Sequence, residues 1–261
     1  MAKDILVETK SGVATVTFNR PSKRNAIDHE GWLNLSQIAK ELSDEDEVKV
    51  IIFTGSVDAF SAGADIKDFD ENRYDSESAE RYANVFEGAL DTVEAIPKPT
   101  ISKIKGYCIG GGCELSMATD IRIAADNARF AIPVAKLGIL VGYKEMRRLV
   151  QLVGPGYANY ILMTGQQLNA KLALRIGLVN EVKSMEEIDS HVEKLSTEMV
   201  PLAPLSQSRH KQILQTVLQN PGLSDLTDEE HQLPFMNFDS HDFQEGRQAF
   251  AQHRDPLFTG R

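Results

Sequence analysis

The order of strand and helix patterns along the chain constrains its fold most. Short β-branched runs alternate with helical patterns as far as Val182, and past residue 185 no strand signal remains. Residues 5–7 and 13–18 read as two strands about a turn at Lys10-Ser11-Gly12. Val48–Gly55 is a buried-strand run ending in glycine, and Thr100–Ile104, Asp120–Ala124, Arg129–Ile132 and Val179–Val182 are further strand candidates. Trp32, Leu35, Ile38, Ala39 and Leu42 recur at helical spacing, and a second amphipathic pattern over 79–96 is stopped by Pro97 and Pro99. Helices are predicted near 144–152, 155–163 and 170–176, then over 186–199, 202–219, 225–235 and 240–252. Residues 69–78, rich in Asp, Glu, Asn and Ser, read as a mobile surface segment. The pattern predicts an α/β core over residues 1–198 followed by a helical C-terminal region over 199–261.

Charge and composition narrow the function classes. A chain of 261 residues with formal net charge -10 lacks the clustered Lys and Arg that grip a nucleic-acid backbone. No window reaches the roughly 20 apolar residues of a membrane helix. The first residues carry no signal-peptide pattern, and the cytoplasm is the expected compartment. Cys108 and Cys113, five apart in an apolar stretch, are expected to be buried free thiols. The six histidines show no metal-ligand spacing, so no metal is assigned.

Two stretches combine small residues with a helix start: Ala62-Gly63-Ala64-Asp65 and Gly110-Gly111-Gly112-Cys113-Glu114. Glycine lets a ligand approach the backbone, and first-turn N–H groups are unpaired at the positive end of the helix dipole. Neither stretch has the full dinucleotide fingerprint, and no Walker pattern occurs. Two such N–H donors converging from separate loops would make an oxyanion hole. Ser61 and Ser116 lack the context of a hydrolase nucleophile.

With these loops in view, the sequence resembles the crotonase family, the enoyl-CoA hydratase/isomerase superfamily. The resemblance rests on ordered motifs along nearly the whole chain. They include Asn19-Arg20-Pro21 with Lys23-Arg24-Asn25-Ala26, Phe60–Lys67, Gly106–Leu115, Asp120–Ala124, Phe130-Ala131-Ile132-Pro133, Ala173–Asn180, and Phe243–Gly246 with Ala249-Phe250. It implies a spiral of ββα units, assembled as homotrimers or homohexamers, that binds an acyl-CoA. Coenzyme A enters as part of the thioester substrate, and no separate cofactor is implied. Ala64 and Gly111 would supply the oxyanion N–H groups. Lys23, Arg24, Ala26, Ala62, Asp65 and Ile66 would lie along the coenzyme A. Phe250 and His253 would reach a coenzyme A from the tail, although many members carry Lys where His253 stands. Residues 69–90, with Phe69, Tyr74, Tyr82 and Phe86, would wall the acyl pocket.

Hydratases of this family use two glutamates. Glu114 matches the first, in the opening turn of a helix. The second should follow Pro133, where this chain has Val134, a residue that cannot titrate. Tyr143 and Glu145, in a segment that departs from the family pattern, are the candidate replacements. With Glu114 as the one matched acid/base, hydration, double-bond isomerisation and decarboxylation or C–C bond cleavage all stay open. A non-catalytic acyl-CoA-binding homologue stays open too.

Overall fold

A computed structural model describes residues 4–261. Among the described residues, ten strands and ten α-helices follow one another. Strands β1 (Ile5–Lys10) and β2 (Val13–Phe18) form a hairpin, followed by helix α1 (His29–Asp44), β3 (Val50–Gly55) and β4 (Ala59–Ser61). Then come α2 (Phe69–Asn72), α3 (Ser76–Glu94), β5 (Thr100–Ile104), β6 (Tyr107–Ile109), α4 (Gly111–Met117), β7 (Ile121–Ala125) and β8 (Arg129–Ala131). The chain continues through α5 (Tyr143–Thr164), β9 (Leu168–Asn169), α6 (Ala170–Arg175) and β10 (Glu181–Lys183). Helices α7 (Ile188–Met199), α8 (Pro204–Gln219), α9 (Asp228–Met236) and α10 (His241–Gln252) close it.

The strands split into two sheets. One has six strands in the order β1-β2-β3-β5-β7-β10, and a smaller one has the order β4-β6-β8-β9. Parallel pairing dominates from β2 onward, as expected where helices connect successive strands. Alternation in β3 sorts its side chains by face. Ile51 and Phe53 enter the main core with Trp32 and Leu35 of α1, whereas Val50 and Ile52 pack with Ile123 and with Ile188 and Val192 of α7. The centre of the larger sheet is therefore buried on both faces, which explains why β3 reads as a continuous apolar run.

Local chemistry fixes the helix starts near the cavity. The Asp28 carboxylate accepts from Gly31 N at the start of α1. At the start of α3, Asp75 and Ser78 cap each other reciprocally. That cap corrects the expectation for residues 69–78. The polar run is two helix starts, because Asp and Ser are cap formers as well as loop formers. Helix α5 runs through both predicted helices, with a break at Gly154 (φ 70°) before Pro155.

Candidate active site

The smaller sheet positions the site. Strands β4 and β6 are parallel neighbours, and each hands the chain to a small-residue loop. After β4, Ile27 N donates to Gly63 O (2.8 Å) and Asp65 N donates to Ile27 O (2.9 Å). In such a parallel bridge the intervening Ala64 N–H points away from the partner strand. After β6, Gly110 (φ 51°) turns the chain so that Gly111 becomes the first residue of α4, where an N–H has no intrahelical acceptor.

The two loops touch. A Cβ built on Gly63, whose φ is 93°, would lie 2.6 Å from Ile109 O and 2.9 Å from Gly111 N. One built on Gly111 would lie 3.5 Å from Ala64 N, with the Trp32 and Phe86 rings at 3.1 and 3.2 Å. Only glycines permit this approach. The amides of Ala64 and Gly111 are thereby brought side by side, and among the described residues neither donates a hydrogen bond to the protein.

Both residues line a cavity of about 320 Å³. Its walls are largely apolar, with Ile66, Phe69, Phe86, Val134, Leu137 and Val141 prominent. The polar side chains that reach it are Arg73, Tyr82, Glu87, Glu114 and Glu145. Tyr82 is locked by accepting from Trp32 Nε1 (3.1 Å), and burial pushes its phenol up to about 12.

Glu114, on the first turn of α4, is 6% exposed. Burial, then the charge of Glu145, pushes its carboxyl up to about 8. The helix dipole alone would favour the ionised form, so desolvation outweighs it here. Glu145 sits in the first turn of α5, 2% exposed, and burial raises it too. Its Oε1 and Arg148 Nη1 lie 3.8 Å apart, each without a hydrogen-bond partner. Arg148 is otherwise held by Asp91 (2.7 Å) and Glu94 (2.5 Å) of α3. A buried carboxyl with an unpaired oxygen beside a cavity is costly to keep and is a candidate for chemistry.

The expected site residues fall into two groups. Ala62, Ala64, Ile66, Gly111, Glu114 and Glu145 all line the cavity. Tyr143 does not. It is 96% exposed on the outer side of the α5 start, so of the two replacements only Glu145 faces the site. Ala26 is buried beneath the loop, with its carbonyl accepting from Arg20 Nη1 (2.8 Å). Asp65 accepts from Lys23 Nζ (2.6 Å), Arg20 Nη2 (3.1 Å) and Lys67 N. Burial pushes the Asp65 carboxyl up, but the Lys23 hydrogen bond and the two positive charges prevail and hold it below the usual range. It fixes the Ala64 loop from behind. Arg24 is exposed and stacks 4.7 Å over the Tyr107 ring. Phe250 is 85% exposed and His253 ends α10 in a left-handed turn, both outside this cavity. Of the expected wall residues, Phe69, Tyr82 and Phe86 line the cavity and Tyr74 lies outside it.

Arg73 and Glu87 fall in the expected wall 69–90 without having been singled out there, and Ile139, Leu140 and Val141 line the cavity from outside it. A helical register across 76–94 would have stacked Glu87 on Ala83, one turn earlier, and both line the cavity beside Tyr82 and Phe86. No local signal marks Arg73. Cys108 and Cys113 are free and buried, as expected. The contact with Cys108, then burial, pushes the Cys113 thiol well up, so it supplies no thiolate.

Paired backbone donors beside a buried carboxyl, in a largely apolar cavity behind two parallel strands, are the equipment of an enzyme that processes an acyl thioester through its enolate. The chain belongs to the enoyl-CoA hydratase/isomerase family, whose sequence model matches residues 8–261. It is 34% identical over 257 residues to a probable enoyl-CoA hydratase of Mycobacterium bovis, covering 98% of each chain. It is also 34% identical to a crotonyl-CoA hydratase of Syntrophomonas wolfei, covering 99% of each. An enoyl-CoA hydratase/carnithine racemase from Magnetospirillum magneticum superposes with TM-score 0.95 at 33% identity, over 100% of this chain and 97% of that one. The chain thus has the crotonase fold and is an enzyme of the enoyl-CoA hydratase/isomerase family. No helix among the described residues is long and apolar enough to cross a membrane.

Proposed function

We propose that the chain catalyses reversible addition of water across the C2–C3 double bond of a 2-enoyl-CoA. The adjacent free amides of Ala64 and Gly111, opening on the cavity that holds Glu114 and Glu145, carry this reading. The thioester oxygen accepts from the two amides, and the negative charge that develops there on attack is stabilised by donors already in place. Glu114, neutral at pH 7, gives its proton to Cα. Glu145, the other buried carboxyl of the cavity, is the base of this reading. With Arg148 beside it, it takes the proton of the attacking water, whose oxygen bonds to Cβ. Glu145 thus replaces the carboxyl missing at Val134 from a different element, α5.

Val134, apolar and lining the cavity, favours a second reading in which Glu114 alone moves a proton between C2 and C4 in an isomerisation. Turnover of a short 2-enoyl-CoA and its 3-enoyl isomer by the pure protein separates the two. Hydration is expected to predominate and to fall at least 100-fold in Glu145→Gln. Isomerisation that survives in Glu145→Gln, with no hydration in the wild type, would replace the first reading.

The exposed Lys23 and Arg24, next to Ala62 and Ala64, are proposed to meet the phosphates of coenzyme A. The apolar side chains Phe235, Met236, Phe238 and Phe250, exposed on the last helices, support burial against further copies of the chain. A homotrimer or homohexamer is the proposed assembly, with Phe250 and His253 facing a neighbour's coenzyme A. Light scattering on the purified chain measures it.

A further inference from the structure

Among the described residues, Arg73 is a cation of the cavity without a salt-bridge partner. It follows α2, lines the cavity, and lies half-buried with its guanidinium 5.1 Å from the Phe69 ring centroid and 5.5 Å from that of Tyr82. Among the described residues its side chain forms no ion pair and donates no hydrogen bond. The other arginines near the site are engaged: Arg148 by Asp91 and Glu94, Arg20 by Asp4, Asp28 and Asp65.

The carboxyls that share the cavity do not supply the missing counter-charge. Glu114 feels the Arg73 charge, yet burial keeps it neutral at pH 7. Glu145 sits against Arg148, and Glu87 lies 3.8 Å from Lys144. The two aromatic rings stabilise the cation over their faces without accepting hydrogen bonds from it, so its N–H donors stay available. A planar fork of N–H donors matches a carboxylate better than a neutral acceptor, because two parallel bonds form and the charge is compensated.

We propose that Arg73 is a specificity residue that binds a carboxylate at the far end of the acyl chain, so that the preferred substrates are mono-CoA thioesters of 2-enedioic acids. The proposal rests on the enoyl-CoA reading for its chemistry, but the binding preference can be measured separately.

The test compares 2-enoyl-CoAs of five to eight acyl carbons with and without a terminal carboxylate, using wild type, Arg73→Met and Arg73→Lys. In the wild type, kcat/KM for the carboxylated series is expected to exceed that for the plain series by 10-fold or more at one chain length. In Arg73→Met that preference collapses to within about threefold, and Arg73→Lys recovers part of it. A wild-type preference for the plain series, or an equal loss on both series in Arg73→Met, overturns the assignment and makes Arg73 a packing residue. If neither series turns over, the hydratase reading fails, and calorimetry with the saturated carboxylated and plain acyl-CoAs still decides. A carboxylate preference that Arg73→Met abolishes upholds the assignment, and equal affinity in the wild type refutes it.

Discussion

Glu114 and Glu145 illustrate how one charge sets another. Both are taken out of water: burial raises each carboxyl, and the charge of Glu145 adds to the rise at Glu114. Glu114→Gln preserves the shape and removes the proton, so kcat for hydration should fall about 10²–10⁴-fold with thioester binding retained. The pH profile of kcat/KM for hydration should fall as pH rises through about 8, where the proton of Glu114 leaves. A profile flat from pH 6 to 10 would contradict its role as the donor. Glu114 was legible in the sequence as the match to the family's first glutamate, in the opening turn of the helix after the glycine run. Glu145 was legible only as a residue able to carry a proton. Its burial depends on how α5 packs against α4, which no local pattern encodes. Tyr143, two residues earlier, looked equivalent and points to water.

At the level of elements, the site is made where two loops meet. A Cβ at Gly63 would run into Ile109 O and Gly111 N and is strained at φ 93°. Gly63→Ala should therefore part the amides and lower kcat/KM by about 10²-fold or more, a loss readable by steady-state kinetics on folded protein. Strand and helix alternation carried the larger sheet, since β3, β5 and β7 are buried runs of ordinary length. Strands β4 and β9 were not legible. They have three and two residues, too short for a periodic signal, and they exist because neighbours pair with them. The cap at Asp75 was misread as loop for the reason that makes it a good cap: a short polar side chain serves either purpose.

Across the whole molecule, the site draws on stability that depends on pH. Glu114 titrates near 8 when folded and near 4.5 when unfolded, so between these values the folded chain holds a proton that the unfolded chain has lost. Its contribution is fully present below 4.5 and is lost as pH rises through about 8. Urea titrations at pH 5, 6.5 and 8.5 should show the wild type losing stability relative to Glu114→Gln, by on the order of a few kcal/mol in total. Glu245 acts in the opposite sense. Its hydrogen bonds from Arg254 and Leu257 N hold the carboxyl down at about 2. That contribution is present above 4.5 and fades as pH falls through 2. It ties the last residues to α10, together with Asp242, which accepts from Thr259 N and Gly260 N.

The neighbouring β4 and β6 have a consequence for how such a chain can change. Their main-chain pairing sets the separation of the loops that carry the Ala64 and Gly111 amides. Nothing in that separation depends on which side chains surround the acyl group. Mutation can therefore redraw the chamber around Val134, Glu145 and Arg73 while the paired amides of Ala64 and Gly111 stay as they were.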